Sequence, residues 1–172
     1  MRRWNGWGED KEHNPLTVEA RAFLKERVGE GVANHDASRD SVLASIGFSR
    51  VDGSSFVTDA ATRLDHARGQ SYGDWLALRY GKIGAVADGV ALPATSEEAD
   101  AALQAALKIG AVVIPYGGGT SVVGHLDVVQ GDRPVVNISL KKLNKLRHVD
   151  ERNWLATFNA GTPGPMGEAQ LK

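Results

Sequence analysis

The sequence predicts an α+β fold, with a mostly helical N-terminal extension over residues 1–84 and an α+β unit over residues 85–172. Three observations predict it. Helical periodicity dominates the first half of the chain. Near residue 85 the pattern changes to short apolar runs separated by glycine and proline. Between two of those runs lies one well-capped amphipathic helix, a strand–helix–strand arrangement of the kind layered α/β structures use.

Residues 1–15 are irregular, contain Trp4 and Trp7, and end at Pro15. From Thr17 to Val28 the pattern is helical. Val18, Ala22 and Val28 lie on or near one side, Phe23 and Leu24 lie between them, and Gly29 is the stop. A second short helix is expected over 38–46, with Val42, Leu43 and Ile46 inward and Gly47 after it. Residues 49–59 read as loop, being rich in Ser, Gly and Asp. A helix is expected near 59–68. Gly69 and Gly73 precede the stretch 74–80, where periodicity leaves helix and extended chain both open.

Residues 85–92 are short, apolar and followed by Pro93, which suits a strand. Thr95 then opens a helix. With Glu98 three residues on, it fits a capping box. Ala99, Ala102, Leu103, Ala106 and Leu107 follow the i, i+3, i+4, i+7, i+8 template, and Gly110 closes the helix. The β-branched content of 111–115 predicts a buried strand. Further strands are expected at 134–138, 146–149 and 154–160, the last two paired around a turn at 150–153. Pro163, Gly164 and Pro165 lead into a helix at 166–172. The chain reaches Lys172 about one and a half turns into that helix, so the expectation is the N-terminal portion of a longer protein.

Composition narrows the classes. Hydrophobic residues make up 42% of the 172 and charged residues 24%, so a core can form. A net charge of -1 gives no electrostatic reason to expect nucleic acid or an anionic membrane. The densest basic group, Lys141, Lys142, Lys145, Arg147 and His148, reads first as a solvated turn and strand edge. No cysteine occurs, which excludes disulfides, thiolate metal ligands and thiol catalysis. No apolar run approaches the roughly 18 residues of a membrane span, and the N-terminus lacks a signal-peptide core. A soluble cytoplasmic protein is the default expectation.

The chemistry concentrates in Pro115, Tyr116, Gly117, Gly118, Gly119, Thr120 and Ser121. Three consecutive residues without Cβ, placed directly after a strand, let the backbone turn sharply and aim its N–H groups into one concavity. Such a nest binds phosphate oxygens without a cationic side chain. Thr120 and Ser121 add hydroxyl donors. Each charge-assisted bond to a pyrophosphate contributes about 1.5–3 kcal/mol, so four or five could anchor a dinucleotide. The competing reading is a mobile hairpin loop. No lysine follows the glycines, so this is not a Walker A loop. The spacing is not G-x-G-x-x-G, and Val122, Val123 and Gly124 open no convincing helix.

This loop, with Gly124 just beyond it, resembles the pyrophosphate loop of FAD enzymes of the vanillyl-alcohol oxidase type. The resemblance extends to Leu92-Pro93-Ala94-Thr95-Ser96-Glu97-Glu98, to the run from Asn137 to Leu146, and to Val149-Asp150 and Ala160-Gly161. It covers the chain from about Asp88 onward. A narrower likeness joins Arg3-Trp4-Asn5-Gly6-Trp7-Gly8 and Asp65-His66-Ala67-Arg68-Gly69, with 76–79, to the alkyldihydroxyacetonephosphate synthases. Trp4 and Trp7 are first read as plugs packing the extension onto the body.

The resemblance implies the first α+β subdomain of a PCMH-type FAD-binding domain, with FAD as cofactor and its pyrophosphate on the loop. Some relatives bind FAD covalently through His or Cys. Without Cys, and with no His from 115 to 121, the expectation is non-covalent FAD. The implied enzyme takes a small-molecule substrate, by flavin-based group exchange as in ether-lipid synthesis or by oxidation, and is compatible with a homodimer of the full-length protein. Two alternatives stand beside it: an FAD-dependent 2-hydroxy-acid dehydrogenase of the D-lactate type, and a non-catalytic fragment or binding module.

Other constellations are weaker. Histidines at 13, 35, 66, 125 and 148 show no metal-site spacing, so no metal is expected. His35 with Asp36, and His66 with Asp65, are weak acid–base candidates because sequence neighbours often point apart. Ser54 and Ser55 lack a nucleophile-elbow context. No catalytic residue is named.

Overall fold

The computed structural model describes residues 3–11, 14–32 and 35–172. Four helices precede the first strand: Val18–Val28 (α1), Arg39–Ser45 (α2), Ala60–Leu64 (α3) and Tyr72–Arg79 (α4). Then come Gly89–Ala91 (β1), Ser96–Lys108 (α5), Val112–Tyr116 (β2), Val135–Ser139 (β3), Leu146–Asp150 (β4), Leu155–Phe158 (β5) and Gly164–Leu171 (α6). The expected α+β class holds, with helices leading and a mixed unit following.

The central sheet is parallel, in the order β1-β3-β2. The strand–helix–strand unit is present, but β1 and β2 are not neighbours, because β3 inserts between them. Val136 of β3 pairs with Gly89 on one side and Val113 on the other. All five residues of β3 are buried, as expected for a parallel strand covered on both faces. The polar pair within it, Asn137 and Ser139, is fully buried. Residues 85–92 were expected to be one long strand; only Gly89–Ala91 is, and Val57 of the preceding loop bridges Val90 antiparallel.

Two apolar clusters form the core. One joins Phe56, Ala91, Ala102, Ala106, Ala111, Val136 and Ile138 around α5 and the sheet. The other joins Val42, Leu64, Leu78 and Ile83, with Trp4 packed against it. Trp4 therefore packs within the extension's own cluster rather than joining the extension to the body. Trp7 is 62% exposed.

The cap of α5 is reciprocal, with one difference from expectation. Thr95 Oγ1 accepts from the Glu98 amide at 3.1 Å. The Glu98 carboxylate accepts from the amide of Ala94, one residue earlier than the usual partner. The inward face is narrower than the template: Ala102 and Ala106 are buried, whereas Leu103 and Leu107 are exposed. Alanines let the helix approach the sheet closely, which leaves the neighbouring leucines outside the contact. On α1 the pattern misleads entirely, since no residue of that helix is buried.

The stretch 74–80 resolves as helix, in α4. Ser71 caps it: its Oγ accepts from the Asp74 amide at 3.0 Å, and Asp74 Oδ2 accepts from the Ser71 amide at 3.0 Å. The hairpin β4–β5 is antiparallel, with a register shift between Leu146 and His148. Trp154, expected in the strand, instead lies in the turn with φ of 56°.

Asp88 ties the helical part to the sheet. It is buried and accepts from Arg50 Nε and Nη2, each at 2.9 Å, and from the Val135 amide at 2.8 Å. Burial raises the pKa of its carboxyl, but these donors outweigh burial and hold it below the ordinary 3.8. No helix among the described residues is long and apolar enough to cross a membrane.

Candidate functional site

The parallel ladder of β2 ends at Tyr116, whose carbonyl accepts from the Leu140 amide at 2.8 Å. Beyond it the chain leaves the sheet. The N–H groups of Gly117, Gly119 and Thr120 donate no hydrogen bond to a described residue. A Cβ placed on Gly117 would meet nothing within 4 Å. Gly119 has φ of 71°, a left-handed conformation glycine adopts without steric cost. Unladdered amides beside open space are what an anion-binding nest requires. Gly117 and the exposed Thr120 leave room for a phosphate group there, whereas Gly119 is buried against Tyr116.

The two ends of the loop are held differently. Tyr116 is buried, and its hydroxyl donates to the Asp65 carbonyl at 3.2 Å. At the far end the Ser121 carbonyl accepts from the Gln70 amide at 2.5 Å. Ser121 Oγ lies 3.0 Å from His125 Nδ1 and accepts from the Val123 amide at 3.4 Å. Thr120 is exposed, and Pro115 is the exposed fourth residue of β2.

His66 sits beneath this loop. Its Nδ1 lies 2.8 Å from the Thr62 carbonyl, which only accepts, so Nδ1 carries the proton. Nε2 then accepts from Ser139 Oγ at 3.1 Å. The ring meets Tyr116 edge-on, with centroids 4.6 Å apart. Burial pushes the His66 pKa below the ordinary 6.5, against the opposing pull of the Thr62 carbonyl. The weak Asp65–His66 candidate is not paired: the carboxylate of Asp65, at the C-cap of α3, turns to Arg39 at 3.0 Å.

A cavity of about 550 Å³ opens beside the carboxyl end of β2, walled by Trp4, Arg39, Arg68, Gly69, Tyr116 and Lys141 among others. Of the seven loop residues only Tyr116 lines it. Lys141, expected as a solvated turn residue, places its Nζ 5.1 Å from the Tyr116 ring centre. Arg68 pairs with Asp127 at 3.1 Å and Asp74 at 3.5 Å.

The remaining candidates are not brought together. Asp36 accepts from Asn5 Nδ2 at 3.0 Å. Ser54 Oγ donates to Asp52 within a local turn. His13 lies outside the described residues. Among the described residues no group of three or more His, Asp or Glu side chains is placed to hold a metal ion. Sequence reasoning missed Asn137 and Ser139 as partners of the 65–70 segment; the available signal was two polar residues in an otherwise apolar strand.

The FAD binding domain family matches residues 87–172. The chain is 35% identical over 113 residues to the alkyldihydroxyacetonephosphate synthase of Dictyostelium discoideum, covering 66% of this chain and 18% of that protein. It is 33% identical over 115 residues to the enzyme of the same name from Trypanosoma brucei brucei, covering 66% and 19%. This chain therefore spans about a fifth of the length of those relatives. A solved structure of alkyldihydroxyacetonephosphate synthase superposes with a TM-score of 0.80 at 25% identity, over 99% of this chain and 38% of that one. A second crystal form of an enzyme of that name gives 0.77 at 24% identity, a likeness of fold.

Proposed function

Because this chain belongs to the FAD binding domain family, we propose that residues 115–121 hold the pyrophosphate of its FAD. The carrying observation is that the amides of Gly117, Gly119 and Thr120 donate no hydrogen bond to a described residue, with open space beside Gly117 and Thr120 exposed. These amides would bind phosphate oxygens, and Thr120 Oγ1, being exposed, is available as a further donor. Bound FAD supplies a flavin able to accept and return an electron pair. Residues 115–121 contain no cysteine and no histidine, so this loop would hold FAD without a covalent bond.

The longer enzyme, on this reading, is a flavin-dependent enzyme of the alkylglycerone-phosphate synthase kind, acting on a small-molecule substrate of ether-lipid synthesis. The 33–35% identities to alkyldihydroxyacetonephosphate synthases support this. A cytoplasmic location and a homodimer of the full-length protein belong to the same reading. So does a division near residue 84, between a helical extension and the FAD-binding part.

The test is an FAD titration of the chain followed by flavin fluorescence, beside Gly117→Val. The Cβ of a valine there meets no protein atom within 4 Å, so the fold is expected to persist while the space beside the loop fills. The expected result is loss of FAD binding. Wild-type affinity in Gly117→Val removes the loop from the site.

A further inference from the structure

We infer that residues 65–70 are a brace holding the glycine loop in its phosphate-receiving shape, with Tyr116 the positioning residue that connects them; this rests on the reading of the loop given above.

Both ends of the loop are tied to this one segment. The Tyr116 hydroxyl donates to the Asp65 carbonyl at 3.2 Å at the near end. The Gln70 amide donates to the Ser121 carbonyl at 2.5 Å at the far end. Between these ties Gly69 lies flat against the Ser121 carbonyl, where a Cβ would overlap it. Only a residue without a side chain permits that approach.

The segment is itself anchored. Asn137 Nδ2, buried in the central strand, donates to the His66 carbonyl at 2.8 Å. Ser139 Oγ bonds the His66 ring. Gln70 Oε1 accepts from Trp75 Nε1 at 2.8 Å. Arg68 bridges to Asp127 beyond the loop and to Asp74 at the start of α4. The brace is thus fixed to β3 on one side and α4 on the other.

A nest of backbone amides binds an anion well only when its N–H groups already converge, since ordering a glycine loop at the moment of binding costs entropy. The extension therefore does more than pack outside the FAD-binding part. It sets the geometry of the loop on which the cofactor phosphates would rest.

The experiment compares Tyr116→Phe and Gly69→Ala with the unaltered chain and with Gly117→Val. FAD affinity is read by flavin fluorescence, hydrogen exchange of the Gln70 amide in the ligand-free chain, and melting temperature alongside. Tyr116→Phe keeps the ring and its packing but removes the Asp65 bond. It is expected to melt near wild type, to speed Gln70 exchange, and to weaken FAD about three- to tenfold. Gly69→Ala is expected to weaken FAD further; should it fail to fold, Tyr116→Phe decides. Unchanged affinity and unchanged Gln70 exchange in Tyr116→Phe, with FAD lost in Gly117→Val, overturn the brace and leave the loop reading standing. A lower melting temperature with unchanged affinity also overturns it, as a purely structural contact. Wild-type affinity in Gly117→Val sinks the loop reading and the brace with it.

Discussion

The hydroxyl of Tyr116 occupies the space that a Cβ on Gly119 would need. The last strand residue and the last of the three glycines are therefore fitted to each other across the turn. Gly119 also has φ of 71°, so two independent reasons exclude a side chain there. Gly119→Ala is expected to cost about 2–3 kcal/mol, combining left-handed strain with displacement of a buried ring. Gly117→Ala, with nothing near its Cβ, is expected to fold within about 0.5 kcal/mol of wild type. Urea denaturation of the two variants checks the contrast; equal midpoints would refute it.

Asp88 serves four donors from positions far apart in sequence: the Arg50 amide, Nε and Nη2, and the Val135 amide. Asp88→Ala would leave the buried Val135 amide without an acceptor and Arg50 without its carboxylate. The expected loss is about 2–4 kcal/mol, read as a shift in denaturant midpoint. The sign of its pH dependence follows from its lowered pKa. Its contribution is full above the unfolded value near 3.8 and disappears as pH falls through the folded value.

His66 titrates in the opposite chemical sense with the same consequence. Burial disfavours its charged form and lowers its pKa from 6.5. The unfolded chain therefore binds a proton there more readily than the folded one. Stability attributable to His66 is full above about pH 6.5 and falls as the solution is acidified below it. Melting temperatures from pH 7.5 down to pH 5 are expected to decline, and His66→Gln to flatten part of that decline. An identical slope in the variant would show that other groups carry it.

Gly161 meets the connection after β3 at close range. A Cβ there would overlap the Leu140 carbonyl, and the Gly161 amide donates to the Leu143 carbonyl at 2.8 Å. Backbone cannot swing away as a side chain can. Gly161→Ala is expected to destabilise by about 2–4 kcal/mol, visible as a lowered melting temperature. Gly164→Ala, in open space, provides the neutral comparison.

Local signals were legible wherever the physics is local. Thr95 and Glu98 announced α5 because a capping box involves residues three apart. The Ser71–Asp74 box had the same spacing and would have settled α4, yet two nearby glycines obscured it. Trp154 looked like a strand residue because its neighbours alternate, but the chain reverses there. The apolar positions of α1 looked inward, although nothing described in this chain covers them.

The amino-acid order by itself determined the mixed class, the capped helix between two strands, and the glycine triplet that follows the second of them. These depend on backbone freedom and short-range periodicity, which a linear string displays. Tertiary structure alone decided that β3 lies between β1 and β2, and that residues 65–70 grip both ends of the loop some fifty positions later. Contacts of that separation arise only when distant segments bury polar groups against one another and must satisfy them there. Asn137 and Ser139 could find partners in His66 only after the strand carrying them was enclosed.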